Sequence, residues 1–407
     1  MIHLKDFWRT IRRTLTVFIL GTTVAVFTCQ AINPPFVIKH LGDGQSIVQI
    51  DEQKKFLLLP VEEASPEAKL YMIADNDVVR SMNVRLAVNK VDYFVPVDLT
   101  GFDNKHLSFN FQLIPDSALC WEEMKLSDEF DVSNREKYRP VYHFSPAYGW
   151  MNDPNGLIFF NGQYHVFYQT NPYNGFWDCM HWGHAVSKDL VHWEYLPLAL
   201  APSEEYDDYQ KGGCFSGSAI EHEGKLYVFY TATANHGNGS EQSQCLAISE
   251  DGINFEKYDG NPLFDAPEGI QPDSFRDPKV WKHENKYYMV VGASRNNRGL
   301  ALIYESEDLY HWNFLNVLAE SRGEWGFMWE CPDFYQLGDK YVLTFSPMGS
   351  GDHTSVYLTG DFDYKTGKFD WHISGEMDWG FDFYAPQSMV APDGRRLIVA
   401  WANEWEW

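Results

Sequence analysis

The sequence predicts an all-β protein: a five-bladed β-propeller with an incomplete last blade, preceded by a small β-sandwich. Three observations predict it. Aromatic residues are abundant, with 15 Trp, 23 Tyr and 28 Phe among 407 residues, and such residues suit pleated, half-buried strands. Short apolar runs bounded by Gly, Asn and Asp turns recur along the chain, as strands joined by turns do. After residue 140 one turn–strand unit repeats five times, at spacings of roughly 53 to 62 residues, which is the pattern of a propeller.

Residues 1–32 read as an export signal. Lys5, Arg9, Arg12 and Arg13 precede an uncharged apolar segment from Leu15 to Thr28, a run that suits a secretory signal better than a spanning helix. A signal anchor is the alternative, because uncharged residues continue to about Pro35. Val26-Phe27-Thr28-Cys29 loosely fits a bacterial lipoprotein box, which makes Cys29 a candidate lipid anchor, although Phe27 and Thr28 fit that box poorly. The expected location is the cell surface or the periplasm.

Residues 33–139 are expected to form the β-sandwich. Ser46 to Ile50, Asn83 to Val88 and Leu107 to Phe111 alternate apolar and polar residues, and the turns Gly42-Asp43-Gly44 and Thr100 to Asn104 separate such runs. The alternation predicts strands with one wet face. Nothing there carries chemistry. Polar Ser133 to Lys137 marks a linker.

Residues 140–407 carry the repeat. Gly162-Gln163-Tyr164-His165-Val166-Phe167-Tyr168 resembles Gly224 to Tyr230, and Asn285 to Val290, Gly338 to Leu343 and Gly394 to Val399 follow. A second element lies 21 to 25 residues after each of the first four turns: Ser187-Lys188-Asp189-Leu190, Ser249-Glu250-Asp251-Gly252, Ser306-Glu307-Asp308-Leu309 and Thr359-Gly360-Asp361-Phe362. Three of them are followed closely by an aromatic, Trp193, Phe255 or Trp312.

The strand after each turn pairs with an inner strand before it. Asp153 lies nine residues before Gly162, Asp277 eight before Asn285, and Glu330 eight before Gly338. Three carboxylates at nearly one register therefore converge at one mouth of the propeller channel. The equivalent positions of the second and fifth blades are Phe215-Ser216-Gly217 and Tyr384-Ala385-Pro386. A propeller also repeats strand-capping acids, so structure is the competing reading. Clustered acids are costly to bury, however, and force one or more pKa values upward.

Paired carboxylates, one ionised and one protonated, are the equipment for glycosidic cleavage. The turn Trp150-Met151-Asn152-Asp153-Pro154-Asn155-Gly156 is stiff and rich in hydrogen-bonding groups, so Asp153 is expected to be the ionised partner. Glu330 is expected to be the proton donor, within an aromatic surround of Trp325, Phe327 and Trp329. Arg276 is expected to keep neighbouring Asp277 ionised, as a substrate-binding group. Trp150, Trp177, Phe215 and Tyr384 offer apolar faces for a sugar ring.

A formal charge of −25 disfavours nucleic acid and anionic membranes as partners and leaves carbohydrate open. The six cysteines, Cys29, Cys120, Cys179, Cys214, Cys245 and Cys331, lack paired metal-ligand spacing, so neither a zinc site nor a dense disulfide framework is expected. No phosphate-cradling loop or metalloprotease motif appears. No metal or other cofactor is required.

From about Tyr142 to Trp401 the chain resembles glycoside hydrolase family 32, the β-fructosidases that include invertases, inulinases and levanases. The residues that carry the resemblance are Trp150 to Gly156, Phe215-Ser216-Gly217-Ser218, Phe275-Arg276-Asp277-Pro278 and Glu330-Cys331-Pro332-Asp333. The resemblance implies a five-bladed propeller and cleavage of β-D-fructofuranosides (levan, inulin or sucrose) with retention of configuration. Asp153 is then the nucleophile, Glu330 the acid and later the base, and Asp277 the stabiliser of the transition state. Asn152, Gln169, Trp177, Phe215, Ser216 and Arg276 are implied to line the fructose pocket. The preceding β domain is similar to one found before such hydrolases in Bacteroidetes. Family members normally complete the fifth blade and add a C-terminal β-sandwich, whereas this chain stops at Trp407 after the second strand of that blade. Alternatives are an inverting arabinan-type propeller glycosidase, a fructosyltransferase, and a truncated fructan-binding surface protein.

Overall fold

A computed structural model describes residues 35–131, 139–208, 212–235, 239–351, 354–380 and 382–403. The expectations for residues 1–32, Cys29 among them, and for the linker Ser133 to Lys137 lie outside the described residues. The described chain is built of strands, with two four-residue helical turns, α1 (Cys120–Glu123) and α2 (Glu205–Asp208).

The amino-terminal strands are β1 (Phe36–Gly42), β2 (Gln45–Ile50), β3 (Phe56–Val61), β4 (Ala68–Ala74), β5 (Asp77–Val84), β6 (Tyr93–Asp98), β7 (Leu107–Gln112) and β8 (Lys125–Ser127). They form one sheet in the order β1-β2-β7-β4-β5 and another in the order β6-β3-β8. Both sheets contribute to one apolar core, with Val48, Phe109 and Phe111 from the first and Leu57, Leu59, Val95 and Val97 from the second. β7 alternates buried and half-buried residues as its sequence predicts.

Two local expectations need correction. The run from Asn83 to Val88 is not one strand: β5 ends at Val84, and Leu86 makes only an isolated bridge to Val61. Nor is the far face wet throughout, since β3 and the end of β5 are buried on both faces. For β5 and its neighbour β4 the reason lies in the second region, whose 173–208 segment packs there. Tyr173 enters the amino-terminal core, Lys69 pairs with Asp208 at 2.7 Å, and Asn83 donates to Asp178 at 2.9 Å.

The second region begins with β9 (Trp150–Phe160), β10 (Gln163–Asn171), β11 (His181–Ser187) and β12 (Trp193–Leu200), one antiparallel sheet. The next sheet holds β13 (Gly213–His222), β14 (Lys225–Asn235), β15 (Ser240–Ser249), β16 (Glu256–Lys257) and β17 (Phe264–Asp265). Two four-stranded sheets follow: β18 (Phe275–His283), β19 (Lys286–Arg295), β20 (Arg298–Ser306), β21 (Asn313–Glu320); and β22 (Met328–Leu337), β23 (Lys340–Met348), β24 (Val356–Asp363), β25 (Lys368–Glu376). The last sheet pairs β26 (Tyr384–Val390) with β27 (Arg396–Trp401). The first strands of these sheets touch in a closed cycle: β9 with β13, β13 with β18, β18 with β22, β22 with β26, and β26 with β9. Each repeat turn found in the sequence joins a first strand to a second.

The Ser-x-Asp elements after the third strands are structural caps in three sheets. Asp189 Oδ1 accepts the backbone N–H of Val191 and His192, Asp251 that of Ile253 and Asn254, and Asp308 that of Tyr310 and His311. The residue after each acid has positive φ: 66° at Leu190, 80° at Gly252 and 72° at Leu309. The fourth element departs from the pattern, because Thr359 to Phe362 lies inside β24 and pairs with β25.

Candidate active site

Each first strand carries a break in its pairing with the second strand. The breaks fall between Met151 and Pro154 in β9, Phe215 and Gly217 in β13, Arg276 and Lys279 in β18, Glu330 and Asp333 in β22, and Tyr384 and Gln387 in β26. A bulge bends a strand and re-aims its side chains. Asp277, Cys331 and Ala385 sit at their bulges with φ of 67°, 48° and 52°, a conformation that bulky residues hold only when their surroundings impose it. In β13 a glycine follows the bulge, because a Cβ at Gly217 would collide with the Phe229 carbonyl.

The ladder corrects the register inferred from the sequence. Asp277 aligns with Ser216, Cys331 and Ala385 at the bulge, whereas Glu330 aligns with Arg276, Phe215 and Tyr384 one residue earlier; in β9 both Asn152 and Asp153 lie within the break. Both hairpins turn over two residues, but Asn285 is the second of its pair and Gly338 the first of its own, so equal counts from them differ by one position. Two adjacent layers of side chains result, and both carry carboxylates.

In the bulge layer, Asp153 Oδ2 accepts hydrogen bonds from Ser216 Oγ at 2.5 Å and Cys331 Sγ at 3.3 Å. Its Oδ1 takes Asn152 Nδ2 at 3.2 Å, and Asn152 Oδ1 in turn accepts Trp150 Nε1 at 3.0 Å. Asp277 Oδ2 accepts the Cys331 backbone N–H at 2.8 Å and lies 3.5 Å from Cys331 Sγ. The thiol thus joins both aspartates; burial pushes its pKa far up, so it keeps its single proton and donates to one carboxylate at a time. The Asp277 backbone N–H is held by Thr231 Oγ1 at 2.9 Å.

In the second layer, Arg276 sends Nε and Nη2 to Glu330 Oε1 at 3.0 and 2.8 Å, and Tyr384 donates to Glu330 Oε2. The expectation that Arg276 serves Asp277 holds in part: its guanidinium stands 4.0 Å from that carboxylate and lowers its pKa against burial, but its hydrogen bonds go to Glu330. Gln242 Oε1 fixes the guanidinium from behind at 3.2 Å. Of the aromatic surround expected for Glu330, Trp329 is placed in the apolar core. Trp329 is fully buried, stacks on Phe345 at 3.8 Å and donates its indole N–H to the Trp325 carbonyl.

Electrostatics also differ from expectation. Asp153 and Asp277 were expected to be held ionised, yet both pKa values are raised. For Asp153 the cause is burial, then the Glu330 charge, against the bonds from Ser216, Asn152 and Cys331. For Asp277 it is burial, opposed by Arg276 and reinforced by Glu330 and Asp153. Fixed donors do not offset the removal of these carboxylates from water.

The remaining expected pocket residues are placed as follows. Trp177 is 47% exposed and meets Phe215 edge-on at 6.0 Å. Gln169 is buried and gives its amide to the Cys214 carbonyl at 2.7 Å. Trp150 packs edge-on against Trp401 at 5.9 Å. Sequence reasoning missed Cys331, Thr231 and Gln242 as parts of the network. For Cys331 a signal existed: Asp153-Pro154, Asp277-Pro278, Cys331-Pro332 and Ala385-Pro386 share one frame.

The model described as "Glycosyl hydrolases family 32 N-terminal domain" matches residues 143–407. The chain belongs to glycosyl hydrolase family 32. Residues 42–142 match a domain of unknown function, DUF4980. Sucrose-6-phosphate hydrolase of Escherichia coli is 44% identical over 288 residues, covering 66% of this chain and 58% of that protein. The solved β-fructofuranosidase of Bombyx mori, in complex with sucrose, is 43% identical with a TM-score of 0.61, covering 66% of this chain and 58% of that one. Fructan 1-exohydrolase IIa of Cichorium intybus is 33% identical with a TM-score of 0.59, covering 65% and 53%. The chain thus spans a little over half the length of these family 32 relatives.

Proposed function

We propose that the chain carries the catalytic region of a retaining β-fructofuranosidase, releasing fructose from β-D-fructofuranosides such as sucrose, levan and inulin. One observation carries the reading. Bulges at one register bring Asp153, Asp277 and Glu330 into a single buried network with Ser216, Cys331, Arg276 and Tyr384. The names of the relatives point to fructosides, and every residue of the network except Tyr384 lies in the motifs that carry the family resemblance. In this reading the five sheets are blades of one propeller, which the closed cycle of first-strand contacts supports, and residues 33–139 form a sandwich domain.

Asp153 attacks the anomeric carbon of the fructosyl unit as the glycosidic C–O bond breaks, and Glu330 gives its proton to the leaving oxygen. Water then attacks the fructosyl ester while Glu330 takes its proton, Asp153 leaves as a carboxylate, and two inversions give net retention. Glu330 Oε1 carries the Arg276 fork, so the proton passes through Oε2, the oxygen that faces Tyr384. Asp277 takes fructose hydroxyls, while Asn152, Gln169, Trp150, Trp177, Phe215 and Ser216 shape the pocket.

Export to the surface or periplasm, with Cys29 as a lipid anchor, belongs to the same reading and rests on the sequence of residues 1–32; the mass of the mature amino terminus tests it. The enzymatic reading is tested by fructose release from sucrose, levan and inulin, with Asp153→Asn and Glu330→Gln as controls. Release by the wild-type chain alone is expected. Equal inertness of all three, with fructan still bound, would contradict it.

A further inference from the structure

Tyr384 is the first residue of β26, and its hydroxyl meets the oxygen of Glu330 through which the proton passes. Its own sheet holds this tyrosine at one point only, the pairing of Tyr384 with Trp401, whose ring it meets edge-on. The break between Tyr384 and Gln387 leaves Ala385 outside the β26–β27 ladder, with φ of 52°. The two peptide groups flanking Tyr384 are bonded by side chains of Ser355, which precedes β24, and Ser346 of β23. Ser355 Oγ donates to the Phe383 carbonyl at 2.8 Å, and the Ala385 N–H donates to Ser346 Oγ at 2.9 Å. The hydroxyls lie 2.9 Å apart, and both serines are buried, at 0% and 1% exposure.

Only one proton arrangement satisfies this chain. A carbonyl accepts only, so the Ser355 proton goes to Phe383. Ser346 then accepts from Ala385 and donates to Ser355 Oγ. Ser346 also stands directly opposite Glu330 in the β22–β23 ladder. One residue therefore references the positions of both Glu330 and Tyr384. Farther along β26, Lys279 Nζ donates to the Ser388 carbonyl and the Ser388 N–H donates to Asp333, each at 2.6 Å, which anchors the strand a second time.

We infer that Ser346 and Ser355 are positioning residues that hold Tyr384 against Glu330. The inference rests on the assignment of Glu330 as the acid–base group. A merely structural role, satisfying two buried peptide groups, would cost stability without coupling to Tyr384.

The test is a double-mutant cycle in the full chain on sucrose and inulin. Ser346→Ala is expected to lower kcat about tenfold with KM within about twofold, and to move the kcat–pH profile in the direction that Tyr384→Phe moves it. Ser346→Ala combined with Tyr384→Phe is expected to be no slower than Tyr384→Phe alone. Multiplicative losses, or an unmoved pH profile, overturn the inference. Ser355→Ala repeats the cycle should Ser346→Ala fold poorly. A crystal structure of either variant decides the point independently of activity: Tyr384 displaced from Glu330 supports the inference, and an unmoved Tyr384 overturns it. A wild-type chain that releases no fructose defeats the functional reading, while that structure still decides the positioning role.

Discussion

Two sets of acids repeat through the second region, and they behave in opposite ways. At the outer turns, Asp189, Asp251 and Asp308 each accept two backbone N–H groups and a serine hydroxyl. The N–H of His192 is the main reason that Asp189 is pulled well below the usual carboxylate range. At Asp308 burial pushes upward and is outweighed by donors from His311 and Tyr310, leaving it at about 2. At the inner bulges, Asp153 and Asp277 are pushed upward by burial that their donors do not offset. The same residue type at the same repeat period is a cap in one place and a candidate reactive group in the other. What separates them is the balance between backbone donors and lost water.

The sharpest way to break this comparison is to remove one acid of each set. Asp153→Asn is expected to lower fructose release by at least about 10,000-fold, whereas Asp189→Asn should leave kcat/KM within about twofold and lower only the melting temperature. Comparable activity losses from both would erase the distinction. Glu330→Gln follows, with an expected loss of about 100- to 10,000-fold, smallest on substrates whose leaving group needs no proton.

Ser216→Ala probes how far donors restrain the inner set. The Ser216 bond lowers the Asp153 pKa, so its loss should move the acid limb of kcat/KM to higher pH and reduce activity about tenfold at neutral pH. A limb that stays put would mean that Asp153 does not set it. The smallest effect is on stability. Asp277 has a raised pKa in the folded chain, so folding favours its protonated form. That contribution is present below the unfolded carboxylate value and is lost as pH rises through the folded value. Asp277→Asn is therefore expected to melt higher than wild type above that window, with the gap closing in acid, while activity falls. Thermal melts across pH measure this directly.

Much of this was legible in the sequence. The turn–strand repeat located all five first strands, and Asp153, Asp277, Glu330, Ser216, Arg276 and Tyr384 were all named. Their partnerships were less legible, because Asn285 is the second residue of its turn and Gly338 the first of its own, so equal counts from them reach positions one residue apart. That single residue gave the hydrogen bonds of Arg276 to Glu330, leaving Asp277 its charge alone. Cys331 was hidden for another reason: its neighbours Glu330 and Pro332 carried the motif, and nothing in a cysteine's spacing says that its thiol sits between two carboxylates. In the amino-terminal region, alternation predicted β7 well and failed for the run that begins in β5, where Asn83 is covered by a residue more than 90 positions away, Asp178.

The central claim is that Asp153 is the nucleophile of the inner set. Incubating Glu330→Gln with a fructoside bearing an activated leaving group, followed by peptide mass spectrometry, tests it most directly. The account predicts one fructosyl unit on the peptide containing Asp153, and product of retained configuration from the wild type. An unmodified Asp153 peptide together with inverted product would contradict it.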